Sequence, residues 1–330
     1  MTQVQLRPWL PRFTRRHNIG IAVGLGMCLL ASPWVNQIPL GLQVIVLAVA
    51  VAAAGLPHGA LDLSLLRGAG LRSQTLFISG ICYLVLTALV IVLFLVLPVS
   101  ALVGFLVISL FHFGLGDTEN CNGVSRGIEA IARGSVIVIA PVYFHTAEVA
   151  EIFSNIVGGD CWAMILHIIS IIPPLLAPCF AAVFVAALLH RLYRIITVKN
   201  RIEQANSISV MLEMILTLLL FVFWPPLMAF LIYFCFIHSV RHLAEIGSSR
   251  HPEDPKKAAM WLINESSPLT VGTLLLAAGA WMIFAPVFEQ NTLYLKIIFQ
   301  GLAALTVPHM AISIWLHTQG DPKPGDLFYL

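Results

Sequence analysis

The residues with the most chemistry on offer are His238 and His242, in His238-Ser239-Val240-Arg241-His242, inside the apolar run from Pro226 to Glu245. Four-residue spacing puts both imidazoles on one helical face, about one turn apart. Ionisable groups at membrane depth are costly and by default mark a functional site. Imidazole is the commonest nitrogen ligand for iron, copper or zinc, and it also carries protons. Metal binding and proton relay are therefore the chemistries in view. Three more histidines have similar surroundings: His58 in Pro57-His58-Gly59-Ala60-Leu61-Asp62, His112 in Phe111-His112-Phe113-Gly114, and His309 in Pro308-His309-Met310.

Positioning these residues is a task for membrane helices. The chain has 330 residues, 59% hydrophobic and 10% charged, against roughly 25% charged in a soluble domain. Its mean hydropathy is +0.91. It reads as an all-α, polytopic integral membrane protein, a single membrane-embedded domain over residues 1–330 with no repeat. A span needs about 20 mostly apolar residues. By that measure there are about ten (range 8–10), at roughly 18–35, 40–66, 75–97, 99–116, 127–145, 162–190, 208–224, 226–246, 268–288 and 292–317. Pro173, Pro174 and Pro178 mark the sixth for a kink or a break. Arg7, Arg12, Arg15 and Arg16 precede span one, and the apolar stretch after them resembles a signal peptide, though a retained first helix is expected. Arg67 and Arg72 follow span two and Arg126 follows span four. Arg191, Arg194, Lys199 and Arg201 follow span six; Arg250, Lys256 and Lys257 follow span eight; Lys323 follows span ten. Positive residues thus alternate sides, which puts both termini in the cytoplasm of a multi-pass protein of the cell (inner, cytoplasmic) membrane. The net charge of +2 carries topology rather than a nucleic-acid partner. Cys28, Cys82, Cys121, Cys161, Cys179 and Cys235 form no C-x-x-C pair and read as small buried hydrophobes.

Spans two, four, eight and ten run in the same direction, so their second halves share one leaflet. His58, His112, His238, His242 and His309 all fall there. His17 and His251 belong to loops, His190 and His317 to inner helix ends, and His145 and His167 lie near the outer face. One histidine in an apolar helix is usually structural. Five at one depth favour a metal site, with a proton relay or a structural polar network as the other readings. Asp62, at i+4 from His58, is placed to hold that imidazole's far nitrogen. Asp117 and Glu245 could support the site or simply end their helices in water. Arg241 projects about 100° off the histidine face, where Glu245 at i+4 is its plainest partner.

No H-E-x-x-H is present, which argues against a zinc intramembrane protease. The H-x-x-H-H boxes of membrane desaturases are absent too, and carboxylates are too few to bridge two irons. A mononuclear Fe(II) held by histidines, with positions open to dioxygen, fits the inventory better.

The segments Pro57-His58-Gly59-Ala60-Leu61-Asp62, Phe111-His112-Phe113-Gly114, His238-Ser239-Val240-Arg241-His242 and Pro308-His309-Met310 resemble, in this order, the motifs of the Brp/Blh family. These are membrane β-carotene 15,15′-dioxygenases of bacteria and archaea. The resemblance implies iron-dependent cleavage of the central double bond of β-carotene with O₂, giving two all-trans-retinal. By motif position it implies His58, His112, His238 and His242 as ligands to Fe(II), with no catalytic residue beyond them. His309 has no role in that transfer and could be a fifth ligand, a supporting donor or a packing residue. Phe111, Phe113, Phe234 and Phe236 flank the ligands as candidates for a substrate tunnel. The partners implied are β-carotene, O₂, the lipid bilayer and a retinal-binding opsin as product acceptor. Two rivals use the same residues: a transporter or proton-relay protein, and a non-catalytic opsin-assembly factor.

Overall fold

The computed structural model describes residues 10–118 and 123–319. Arg7, Cys121 and Lys323 lie outside the described residues, as do the side chains of Arg12, Arg15 and His317. Among the described residues there are ten helices long and apolar enough to cross a bilayer, and no strand. Helix is the expected outcome, since in lipid each backbone N–H and C=O must be satisfied within the segment.

In chain order the helices are α1 (Leu10–Val35), α2 (Leu40–Gly68), α3 (Ser73–Val96), α4 (Pro98–Gly116), α5 (Gly123–Phe144), α6 (Thr146–Val157), α7 (Trp162–Thr197), α8 (Arg201–Phe223), α9 (Pro226–Arg250), α10 (Pro255–Phe284) and α11 (Gln290–Gln319). Several boundaries are written in the sequence. Pro98, Pro226 and Pro255 sit in the first turns of α4, α9 and α10, where a missing N–H costs nothing. Asn200 caps α8, and Asp254 caps α10 by accepting from the backbone N–H groups of Lys256 and Lys257.

Three expectations change. His17 lies inside α1, not in a loop, because that helix begins before the apolar stretch does. The segment after span five is α6, an amphipathic helix whose buried residues include Val149, Ile152 and Ile156. The sixth span is one helix, α7, running past prolines 174 and 178 without interruption. Membrane helices tolerate this when neighbours satisfy the freed carbonyls.

Helices α5 and α9 form the interior: in the most apolar stretch of each, two thirds of the residues are buried (67% for both), against none in that of α3 and 6% in that of α10. Helix α11 packs on α2, α3, α4, α6 and α10, while α9 packs on α1, α2, α8 and α10. The four histidine-bearing helices are thereby joined, with α2 against both α9 and α11, and α4 against α11.

Two local devices set their register. Helix α2 contains a π-helical stretch at Val51–Gly55, just before His58, and α9 contains one at Ile232–His238, ending on a histidine. A π-turn adds a residue and rotates everything after it, and such bulges cluster at functional sites. The two stretches touch where Gly55 meets Phe234: a Cβ on Gly55 would lie 2.6 Å from that ring. The second device is the α4–α5 contact, where the backbones meet directly. A Cβ on Gly114 would lie 2.1 Å from the Ala130 carbonyl oxygen, and one on Gly134 would lie 2.0 Å from that of Leu110. Small residues allow such approach between membrane helices, and here they bring His112 inward.

Replacing Gly134 with valine should force α4 from α5 and lower the unfolding temperature in detergent by several degrees. Gly127→Ala, at a position with nothing within 4 Å, should leave it unchanged. Equal behaviour of the two variants would refute the close-packing argument.

Candidate metal centre

Five imidazoles converge. His58 from α2, His112 from α4 and His238 from α9 are buried and present ring nitrogens within 4.8 Å of one another, a grouping that could hold one metal ion. Their ring centroids are 6.5 Å (His58–His112), 5.7 Å (His58–His238) and 5.0 Å (His112–His238) apart. His242, one turn beyond His238, is stacked on it at 6.4 Å and lies 5.6 Å from His58. His309 from α11 lies 5.4 Å from His58, 5.2 Å from His112 and 5.9 Å from His242. Of the histidines named as ligands by resemblance, three make the tight trio and His242 stands at its edge. His309, left without a role, is as close to the trio as His242 is.

Each ring's second nitrogen shows how it is aimed. His58 Nδ1 bonds the Gly55 carbonyl, which only the Nδ1–H tautomer can do. His309 Nδ1 lies 2.7 Å from Asp62 Oδ1, and His238 Nδ1 lies 3.4 Å from Asp117 Oδ1. His112 Nδ1 faces the Met310 sulfur at 2.9 Å. The Nε2 atoms of His238, His242 and His309 are buried without any hydrogen-bond partner. A buried polar atom normally has one, so three unpartnered ring nitrogens in one cluster are donors suited to a cation. All-nitrogen donors whose far nitrogens are held by carboxylates or carbonyls, as those of His58, His238 and His309 are, suit a bound transition metal. The residues fit a metal.

Behind His238 runs a chain of alternating charge. Arg191 of α7 donates from Nε and Nη2 to Glu129 of α5 at 2.7 and 2.8 Å. Arg133 donates to Glu129 at 3.1 Å and to Glu213 of α8 at 2.9 Å. Arg241 of α9 donates to Glu213 at 2.6 Å and to Asp117 at 3.2 Å. Asp117 also accepts a short hydrogen bond from the Tyr233 hydroxyl. Every one of these charged groups is at most 7% exposed. Three guanidiniums and three carboxylates cancel, which is how charge persists at membrane depth.

Several sequence expectations are corrected here. Asp62 holds His309, not His58, because the helix breaks at Ala60 and Leu61 and the i+4 register is lost. Asp117 does not end its helix in water: it is 1% exposed and carries the link to His238. Arg241 is tied to Asp117 and Glu213 on other segments, partners that its i+4 spacing does not point to, and Glu245 lies half-buried outside the trio. Arg191 is not a loop charge but fully buried, at 0% exposed. Phe113 and Phe234 pack on imidazoles, at 4.9 Å from His238 and 5.6 Å from His58. Phe111 and Phe236 are 48% and 52% exposed on the outer surface, since neighbours on a helix point about 100° apart. Phe230 extends the inner wall, stacked on Phe234 at 5.3 Å and tilted against Phe299 at 5.8 Å. Of the other histidines, His145 bonds the Phe221 carbonyl at 3.1 Å and His167 is exposed. Glu129, Arg133 and Glu213 were passed over, although charges within apolar runs were the available signal.

A helical, multi-pass membrane protein with a buried imidazole cluster fit for a metal ion is thus defined by fold and site. The family model described as beta-carotene 15,15'-dioxygenase matches residues 49–317, and the chain belongs to that family. It is 29% identical over 265 residues to the beta-carotene 15,15'-dioxygenase of an uncultured marine bacterium, covering 79% of this chain and 90% of the relative. It is 28% identical over 296 residues to a probable beta-carotene 15,15'-dioxygenase Blh of Halobacterium salinarum, covering 79% and 81% of the two chains. No solved structure matches.

Removing one partner from a buried ion network costs about 3–5 kcal/mol, because a charge is left unpaired. Arg241→Met should therefore lose stability on that scale, seen as a large fall in unfolding temperature or in folded yield. Arg67→Met, at a pair whose arginine side chain is 67% exposed, should change stability by less than about 1 kcal/mol. Similar losses in both would contradict the network's role.

Proposed function

We propose that this chain cleaves the central 15,15′ double bond of β-carotene with O₂, giving two all-trans-retinal, at an Fe(II) held by His58, His112, His238 and His242. The observation that carries the reading is the meeting of five histidines from four helices, three of them with a buried Nε2 that has no hydrogen-bond partner. Family membership supplies the substrate class.

Iron, when bound, supplies activation of dioxygen, whose triplet ground state does not add directly to a closed-shell polyene. What the chain does is bind, orient and exclude. One alkene and one dioxygen become two aldehydes without added protons or electrons, so no side chain need act as acid or base. A long hydrocarbon dissolved in the bilayer reaches a site at membrane depth without passing through water. Phe113, Phe234, Phe230 and Phe299 form an aromatic wall running from the imidazoles along α9 to α11. Such a wall can hold a polyene by its flat face, and the bond cleaved is then chosen by position. Near-complete burial of His58, His112, His238 and His309 keeps competing water away.

On this reading residues 1–330 work as one membrane-embedded unit in the cell membrane, with both termini cytoplasmic. The basic residues Arg194, Lys199, Arg201, Lys256 and Lys257, at the α7–α8 and α9–α10 connections, support that orientation. A retinal-binding opsin would be the natural acceptor of the product.

Expression in bacteria that accumulate β-carotene should bleach the cells and yield retinal. Persistent colour with well-folded, iron-replete protein would reject the reading and leave a transporter or an assembly factor. Alanine at His58, His112, His238 or His242 should abolish cleavage and lower bound iron. Alanine at His145 or His167 should leave both intact.

A further inference from the structure

Two carboxylates approach the imidazole cluster, and their circumstances differ. Asp117, beside His238, has its charge met by Arg241 at 3.2 Å, at the end of a chain that is neutral as a whole. Asp62 is 1% exposed, and the ion pairs among the described residues give it one partner, His309, at 2.7 Å. Its second oxygen, Oδ2, is buried with no hydrogen bond of ordinary geometry; the polar group nearest in effect is the neutral Tyr83 hydroxyl of α3, which supplies no positive charge. A carboxylate at this depth without an arginine or lysine is a charge still in need of compensation.

His309 carries the complementary deficit. It is 4% exposed, its Nδ1 is occupied by Asp62, and its Nε2 is buried with no partner. The ring lies within 5.9 Å of His58, His112 and His242, so the orphaned edge sits among other imidazoles rather than against a carbonyl. A histidine placed only for packing would leave that nitrogen unsatisfied. A cation among the rings removes both deficits at once, taking the Nε2 lone pair and balancing Asp62 through the imidazole.

We propose that His309 is a fifth nitrogen group of the metal centre and that Asp62 is the positioning carboxylate that orients it and offsets the metal's charge. This inference rests on the metal-centre reading above. It assigns the centre's outer charge to α2 and α11 together: the helix that brings His58 also brings the carboxylate that steers a ligand on another helix. Asp62 touches neither substrate nor metal and acts only through His309.

The test uses the purified full-length protein in detergent, stripped of metal and titrated with Co(II). The dissociation constant, the ligand-field absorption and the nitrogen count from X-ray absorption are read. His309→Ala should weaken Co(II) binding by at least tenfold, shift the visible bands and lower the nitrogen count. Asp62→Asn should weaken it about 10–100-fold and move the bands, with partial recovery in Asp62→Glu. Should His309→Ala fail to fold, His309→Gln keeps a similar volume and an amide that can still bond Asp62, and the same losses are expected. Binding within about twofold of the parent with unchanged bands in the folded His309 variant would overturn the inference. His58→Ala separates the two levels. If it loses Co(II) while the His309 variant does not, only this inference falls. If it too binds normally, the metal-centre reading fails.

Discussion

Five imidazoles facing one another in a dry interior can be satisfied by little other than a cation, and the rest of the structure answers to that requirement. Four of the rings have one nitrogen tied back, to a carbonyl, a carboxylate or a thioether, and Nε2 of His238, His242 and His309 has no partner. Such an arrangement is unfavourable by itself. It holds only because four helices are locked around it, and the π-helical stretches in α2 and α9 turn the rings inward at the cost of regular helix.

The locking is achieved by two different kinds of contact. On the α4–α5 side it is steric: bare glycines let backbones touch, and any larger residue would separate them. Toward α7, α8 and α9 it is electrostatic, a neutral chain from Arg191 to Asp117 whose members are expensive to bury singly and stable only together. That chain ends on His238, so its geometry is transmitted to the cluster as the angle of one ring. Asp62 stands apart from it, which leaves one carboxylate free to answer the charge of whatever occupies the site.

The same features suit a site for a membrane-dissolved hydrocarbon. Polar side chains are gathered in the imidazole cluster and the ion chain behind it, while Phe234, Phe230 and Phe299 pack on one another beside them along α9 and α11. Little polarity is left to draw water in or to compete for an apolar substrate.

The amino-acid sequence by itself determined the ten spans and the shared depth of five histidines. Hydropathy encodes a membrane helix within its own segment, since every backbone bond closes locally and length alone meets the bilayer. It also places ionisable groups at membrane depth, where burial is costly. Which groups meet was decided by the tertiary structure. Asp62 was read onto His58 by helical period, yet two residues of broken helix turn it to His309, 247 positions along the chain. Helical period offers Arg241 a neighbour one turn away, but not its ties to Glu213 and Asp117, which join α9 to two other segments. A π-turn leaves no mark in a uniformly apolar run, so the rotation that brings His58 and His238 together could not be seen there. Local period reports a face, but the partner on that face comes from another helix, and only packing chooses it.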